Sequence, residues 1–214
     1  MKKLIILLTV IALTLAFVGC SSNNNIETAA EKETAAQPET QSDETAADVP
    51  AGDDSLSEKP LVVYFSATGN TKGVAEQIAA AADADLYEIV PAQPYSEDDL
   101  NWHDDSGRAT VEQNDKSVRP VIGSETINLD GYDTVFIGYP IWWGQEPRIM
   151  DTFVESYDFT DKTVIPFCTS GSSDIDVSAA DLKALAPDAN WKEGKRFAAD
   201  SSKEEITNWI DTLN

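Results

Sequence analysis

From residue 61 onward, short apolar runs alternate with stretches of helical period, and few architectures bury both. Residues 61–65 (LVVYF) form a β-branched and aromatic run, read as a buried strand. A helical stretch follows over 72–82, with Val74, Ile78 and Ala81 on one face. Residues 85–90 (DLYEIV) read as a second strand, stopped by Pro91 and Pro94, and 132–138 (YDTVFIG) as a third. The spacing predicts a helix over 146–156 that turns Ile149, Met150 and Phe153 inward. Residues 162–168 (KTVIPFC) read as a fourth strand, where Pro166 marks an irregular strand end. A short helix is expected over 178–185 with Ser178 as its N-cap, and a fifth strand over 191–198, weakened by Gly194. The last helix, 201–213, has Ser202 as cap, Glu205 three residues on as in a capping box, and a stripe of Ile206, Trp209, Ile210 and Leu213. This alternation is that of an α/β fold, a parallel sheet covered on both faces. It lapses between 91 and 131. The middle of that insertion, 96–115, is polar and acidic, with room for one or two helical turns, and loops of this length in compact domains are functional or poorly ordered.

The first 60 residues obey other rules. Lys2 and Lys3 precede an apolar run over 4–18 broken only by Thr9 and Thr14. Such a run reaches about 22 Å as helix, short of the about 20 residues that a membrane span needs. A basic start followed by a short apolar run reads as an export signal. The run ends in Phe17, Val18, Gly19 and Cys20, which resembles the lipobox of bacterial lipoproteins, although Leu is usual where Phe17 stands. The resemblance implies removal of 1–19 and a lipid on Cys20, holding the protein on the extracytoplasmic face of a bacterial cell membrane. Residues 20–60 then form a linker. From 21 onward it holds ten acids and two lysines, with Ile26, Val49 and Leu56 as its large apolar residues. A chain of that composition cannot bury enough apolar surface to offset its conformational entropy, so a disordered tether is expected before a domain over 61–214.

Composition removes several functions. The chain carries 38 acids against 15 basic residues, a formal net charge of −23. That excludes a nucleic-acid binder, which needs clustered Lys and Arg, and attachment to anionic lipid by surface charge. Two cysteines, Cys20 and Cys168, make no disulfide framework, and the one histidine, His103, makes no His-rich metal site. His103 reads as part of a solvated acidic loop, Cys168 as a buried hydrophobe without a basic partner, and Ser170 and Ser172 lack the setting of a hydrolase nucleophile.

The informative stretch is Ser66, Ala67, Thr68, Gly69, Asn70 and Thr71. It follows a buried strand and opens a helix, whose free N–H groups and positive dipole end suit an anion. It lacks the G-K-[ST] of a triphosphate loop and the G-x-G-x-x-G of a dinucleotide loop, and looks suited to one phosphate monoester. It resembles the [ST]-x-T-G-x-T phosphate loop of flavodoxins at every position. Two further loops stand where a flavodoxin-like fold places its ring-binding loops: Tyr139 to Gly144 after the third strand, and Thr169 to Ser173 after the fourth.

The resemblance implies a doubly wound five-stranded parallel sheet of order 2-1-3-4-5, with FMN at the switch point. It places Ser66, Thr68, Gly69, Asn70 and Thr71 at the phosphate, the hydroxyls of Thr68 and Thr71 facing it, and Pro140 and Ile141 at the ring edge. Trp142 or Trp143 stacks on the ring, the other being core. Gly144 is a candidate for the peptide that answers the ring's redox state, and Thr169, Ser170 and Gly171 offer amides near the pyrimidine end. The expected function is an exported, lipid-anchored electron carrier for a partner protein with a basic surface. The alternatives are an NAD(P)H-dependent flavin or quinone reductase acting on a small quinone-like acceptor, and an interaction module without FMN.

Overall fold

The computed structural model describes residues 59–213; the expected export signal, Cys20 and the expected linker as far as Glu58 lie outside the described residues. Among the described residues, the Lys59 ammonium meets Asp85 at 2.7 Å, and the Pro60 carbonyl accepts from the Asp85 amide. Strands β1 (Leu61–Tyr64), β2 (Asp85–Glu88), β3 (Thr134–Pro140), β4 (Thr163–Thr169), β5 (Asn190–Trp191) and β6 (Lys195–Phe197) form one parallel sheet. The order is β2-β1-β3-β4-β5, with β6 also beside β4. Helices α1 (Asn70–Ala82), α2 (Arg108–Asn114), α3 (Arg148–Ser156), α4 (Asp176–Leu185) and α5 (Lys203–Asp211) complete the described elements. None is long and apolar enough to cross a membrane.

The period of two along each strand sorts the core into two layers. Val62, Tyr64, Phe136, Ile165, Phe167 and Phe197 face α1 and α5, where Val74, Ile78, Ile206 and Trp209 close the packing. Leu61, Val63, Phe65, Ile137 and Tyr139 face the other way, toward Ile149, Met150 and Phe153 of α3 and Leu182 of α4. Helix α5 starts as expected, with the Ser202 hydroxyl accepting from the Glu205 amide.

Two local expectations need correction. Pro166 lies in the middle of β4, not at its end, and the irregularity falls on the neighbouring strand. Even-numbered residues of β4 turn their backbone groups that way: Val164 accepts from the Lys192 amide, and beyond the strand Ser170 donates to Phe197. Pro166, between them, has no N–H to give, so the fifth strand splits into β5 and β6, with Gly194 packed against the Pro166 carbonyl and ring. Ser178 is not an N-cap. It is buried inside α4, donating to the Ile175 carbonyl at 2.8 Å and lying 3.2 Å from the Tyr139 hydroxyl.

Candidate functional site

The carboxyl ends of β1, β3 and β4 bring three loops together. In the first, Gly69 caps α1 at φ +87°, and its amide is taken by the Ser66 hydroxyl at 3.1 Å. The following first-turn N–H groups have no carbonyl of their own helix to meet, and Thr68, Gly69 and Asn70 are exposed. Lys72 contributes little to this pole, because its ammonium leans 3.6 Å from Glu88. Thr71 is buried, and its hydroxyl lies 2.7 Å from that of Thr169, tying the first loop to the third. When Thr169 donates, the single proton of Thr71 stays available to its own loop.

In the second loop Trp142 and Gln145 exchange both backbone hydrogen bonds, at 2.9 and 3.0 Å, closing a two-residue hairpin over Trp143 and Gly144. Both central residues have positive φ, +49° at Trp143 and +79° at Gly144, the backbone of a type I′ turn. Glycine takes that conformation freely; a tryptophan takes it at a cost of order 1–3 kcal/mol. The strained residue is 47% exposed, whereas Trp142 is packed edge-on against Phe65 and Tyr95. In the third loop the Ser170 hydroxyl accepts from the amides of Ser172 and Ser173, and Arg196 donates to the Ser170 carbonyl at 2.9 Å.

The insertion is built as a strap over the hairpin. Tyr95 donates to Glu112 of α2 at 2.5 Å, Arg108 meets the same carboxylate at 2.7 Å, and the Arg108 guanidinium lies over the Tyr95 ring. Burial above all, then the Glu112 carboxylate, pushes the Tyr95 phenol up. Beside Glu112, Gln113 gives its amide to the carbonyls of both Trp142 and Glu146, each at 3.1 Å. Arg148 is buried beneath, donating to Glu146 and Gln145 and to the Gln113 carbonyl. Between strap, hairpin and loops lies a cleft of about 640 Å³, lined by Thr68, Leu100, Trp102, Ile141, Trp142 and Trp143 among others. A slightly larger hollow, about 710 Å³, sits at the opposite end of the sheet by Pro60 and Leu213, away from all three loops.

The flavodoxin family profile matches residues 59–213. The chain belongs to the flavodoxin family. A crystallised Bacteroides uniformis protein that carries a flavoprotein assignment is 47% identical, over 72% of this chain and 97% of that one, with a TM-score of 0.69. A Bacteroides eggerthii protein with the same assignment is 50% identical over the same shares, with a TM-score of 0.68. A Lactobacillus acidophilus flavoprotein solved in complex with FMN is 24% identical, over 72% of this chain and 99% of that one, with a TM-score of 0.55, a likeness of fold. Among curated proteins none matches.

The fold brings most of the residues singled out by sequence to one cleft. Thr68, Ile141, Trp142 and Trp143 line it directly. Ser66, Gly69 and Asn70 shape the exposed loop at one end, and Gly144 is the second half of the turn. Pro140 ends β3, paired with Thr169 at the end of β4. Ser170 and Gly171 open the third loop, Gly171 exposed. The residues that sequence reading missed are the buried ones: Gln113, Glu146, Arg148 and Asp151. The one available signal was charge inside a helix face otherwise read as core, at Arg148 and Asp151. Cys168 is buried as expected, which pushes its thiol up to about 12. His103 is exposed, its ring tilted by 36° against that of Trp102. Among the described residues no group of His, Cys, Asp and Glu is arranged to hold a metal.

Proposed function

We propose that the protein binds FMN and transfers electrons, exported and held at the bacterial membrane by lipid on Cys20. The observation that carries this reading is the cleft itself. One end offers helix N–H groups and the Thr68 hydroxyl, with Lys72 turned toward Glu88, fitting a single phosphate. The other end offers an exposed indole that the chain holds at a backbone cost, fitting a planar aromatic ring. The Lactobacillus acidophilus relative was solved with FMN, which supports the same ligand here. The redox chemistry is the flavin's own; the protein binds, orients and shields it. The domain from residue 61 has 28 acids and 11 basic residues, a net of −17, which steers it toward a basic partner surface.

A second reading, an NAD(P)H-dependent reductase of a small quinone-like acceptor, is favoured by one observation. The strap sets Leu100 and Trp102, the latter 67% exposed, on the open side of the cleft, as a further apolar wall. The test is direct. Purified full-length protein should carry or take up one FMN per chain, seen by flavin absorption, and should oxidise NADH slowly with or without a quinone. A protein that takes up no flavin sinks both readings. Rapid quinone-dependent NADH oxidation moves the conclusion to the second.

A further inference from the structure

Behind the 142–145 hairpin the fold buries three ionisable side chains together. Arg148, 1% exposed, donates to Glu146 at 3.0 Å and, less closely, to Asp151 at 3.4 Å; both carboxyls are buried with it. Each carboxyl keeps a second buried oxygen, Glu146 Oε2 and Asp151 Oδ1, that meets no donor group of the chain. One nitrogen of Arg148, Nη1, meets both carboxyls, which holds the two acids side by side in the interior. Two carboxylates can only accept, so neither orphaned oxygen gains a hydrogen unless one proton is on the pair. Charge balance points the same way. Arg148 offsets one carboxylate, while Arg119, the next cation, sits 3.6 Å from Asp151 and is gripped by both oxygens of Glu155. A second buried charge without its own partner is costlier than a neutral acid.

We propose that Glu146 and Asp151 share one proton beside Arg148, and that this proton holds the 142–145 hairpin in its place along the cleft. Glu146 follows Gln145 directly, and its carbonyl shares the Gln113 amide with that of Trp142. Arg148 in turn holds the Gln145 side chain. Removing the proton leaves two buried carboxylates on one Arg148 nitrogen, and their repulsion displaces the base of the hairpin. Around the pair stand Arg148 on α3, Arg119 and Asp115 from the insertion, Glu155 through Arg119, and the Tyr139 phenol from β3. Hydrogen bonds from Ser117 hold Asp115 below its ordinary range, and the Arg119 bridge does the same for Glu155, while burial pushes the Tyr139 phenol up. The pair is therefore the group here that titrates. Burial, chiefly, raises Glu146 to about 8 and raises Asp151 as well.

The consequence for FMN affinity rests on the function proposed above; the proton and the hairpin do not, and the test separates them. Infrared spectra of flavin-free protein should contain the carbonyl band of a protonated carboxylic acid at neutral pH. The band should fade as pH rises through about 8. Tryptophan emission should shift with the same midpoint, and Trp143→Phe should abolish the shift. Glu146→Gln and Asp151→Asn should each remove band and shift; if one variant fails to fold, the other carries the comparison. With FMN added, the wild type should bind about 5-fold or more weakly above that midpoint than below it, relative to either variant. Absence of the band at neutral pH overturns the proposal, as does an emission midpoint that persists in both variants. Band and shift without any FMN binding support the shared proton and reject the function.

Discussion

At the scale of single residues, the three threonines of the loops divide their work. Thr68 lines the cleft, whereas Thr71 and Thr169 are buried against each other. A hydrogen bond to a charged group contributes about 1.5–3 kcal/mol, so Thr68→Ala should weaken FMN binding roughly 10- to 150-fold. Riboflavin affinity should barely change, since it has no phosphate; equal losses in a fluorescence titration would place the hydroxyl elsewhere. Thr71→Val should instead lower folding stability by about 1–3 kcal/mol in denaturant melts, because it strands the Thr169 hydroxyl. Trp143 is the opposite case. Asn suits a type I′ turn far better, so Trp143→Asn should raise stability by about 1 kcal/mol while weakening FMN binding. A variant that gains no stability, or binds FMN unchanged, contradicts the reading of Trp143 as a strained ring platform.

At the scale of elements, legibility followed the physics of each segment. Strands β1, β3 and β4 are apolar on both faces, so their runs stood out in sequence, and the loop over 66–71 combined a strand end, a glycine and hydroxyls in one short span. The fifth strand was blurred because its break is dictated by Pro166 on the neighbouring strand, a cross-strand cause invisible to local reading. Helix α2 spans only Arg108–Asn114, and it is held by what its side chains reach, Tyr95 and the Trp142 and Glu146 carbonyls, all distant in sequence. Its role follows from those contacts. Gln113→Ala takes the side-chain donor from the buried bond to the Glu146 carbonyl and leaves the Trp142 carbonyl with the Gln145 amide alone, and should cost about 1–3 kcal/mol of stability in urea melts. A loss within a few tenths of a kcal/mol would mean that the strap does not brace the hairpin.

At the scale of the whole molecule, charge sets two behaviours. On the proposed function, association with a basic partner protein, followed by stopped-flow, should slow steeply as salt rises, because steering by a domain of net −17 is screened over about 8–10 Å. Stability carries a second signature. Glu146 is an acid raised from 4.5 to about 8 by folding, so the folded state holds the extra proton between those values. Its contribution is complete below about 4.5 and is lost as pH rises through about 8, and wild-type stability relative to Glu146→Gln should fall across that window. A difference that stays flat between those limits contradicts the assignment. The account as a whole stands on the cleft being a flavin mononucleotide site, and one titration reaches that claim directly. FMN and riboflavin are added in turn to flavin-free full-length protein and followed by quenching of flavin fluorescence. The account predicts saturation at one FMN per chain, with riboflavin bound at least about 10-fold more weakly because it has no phosphate for the helix N-terminus to hold. Equal affinity for the two, or no quenching by either, would contradict it.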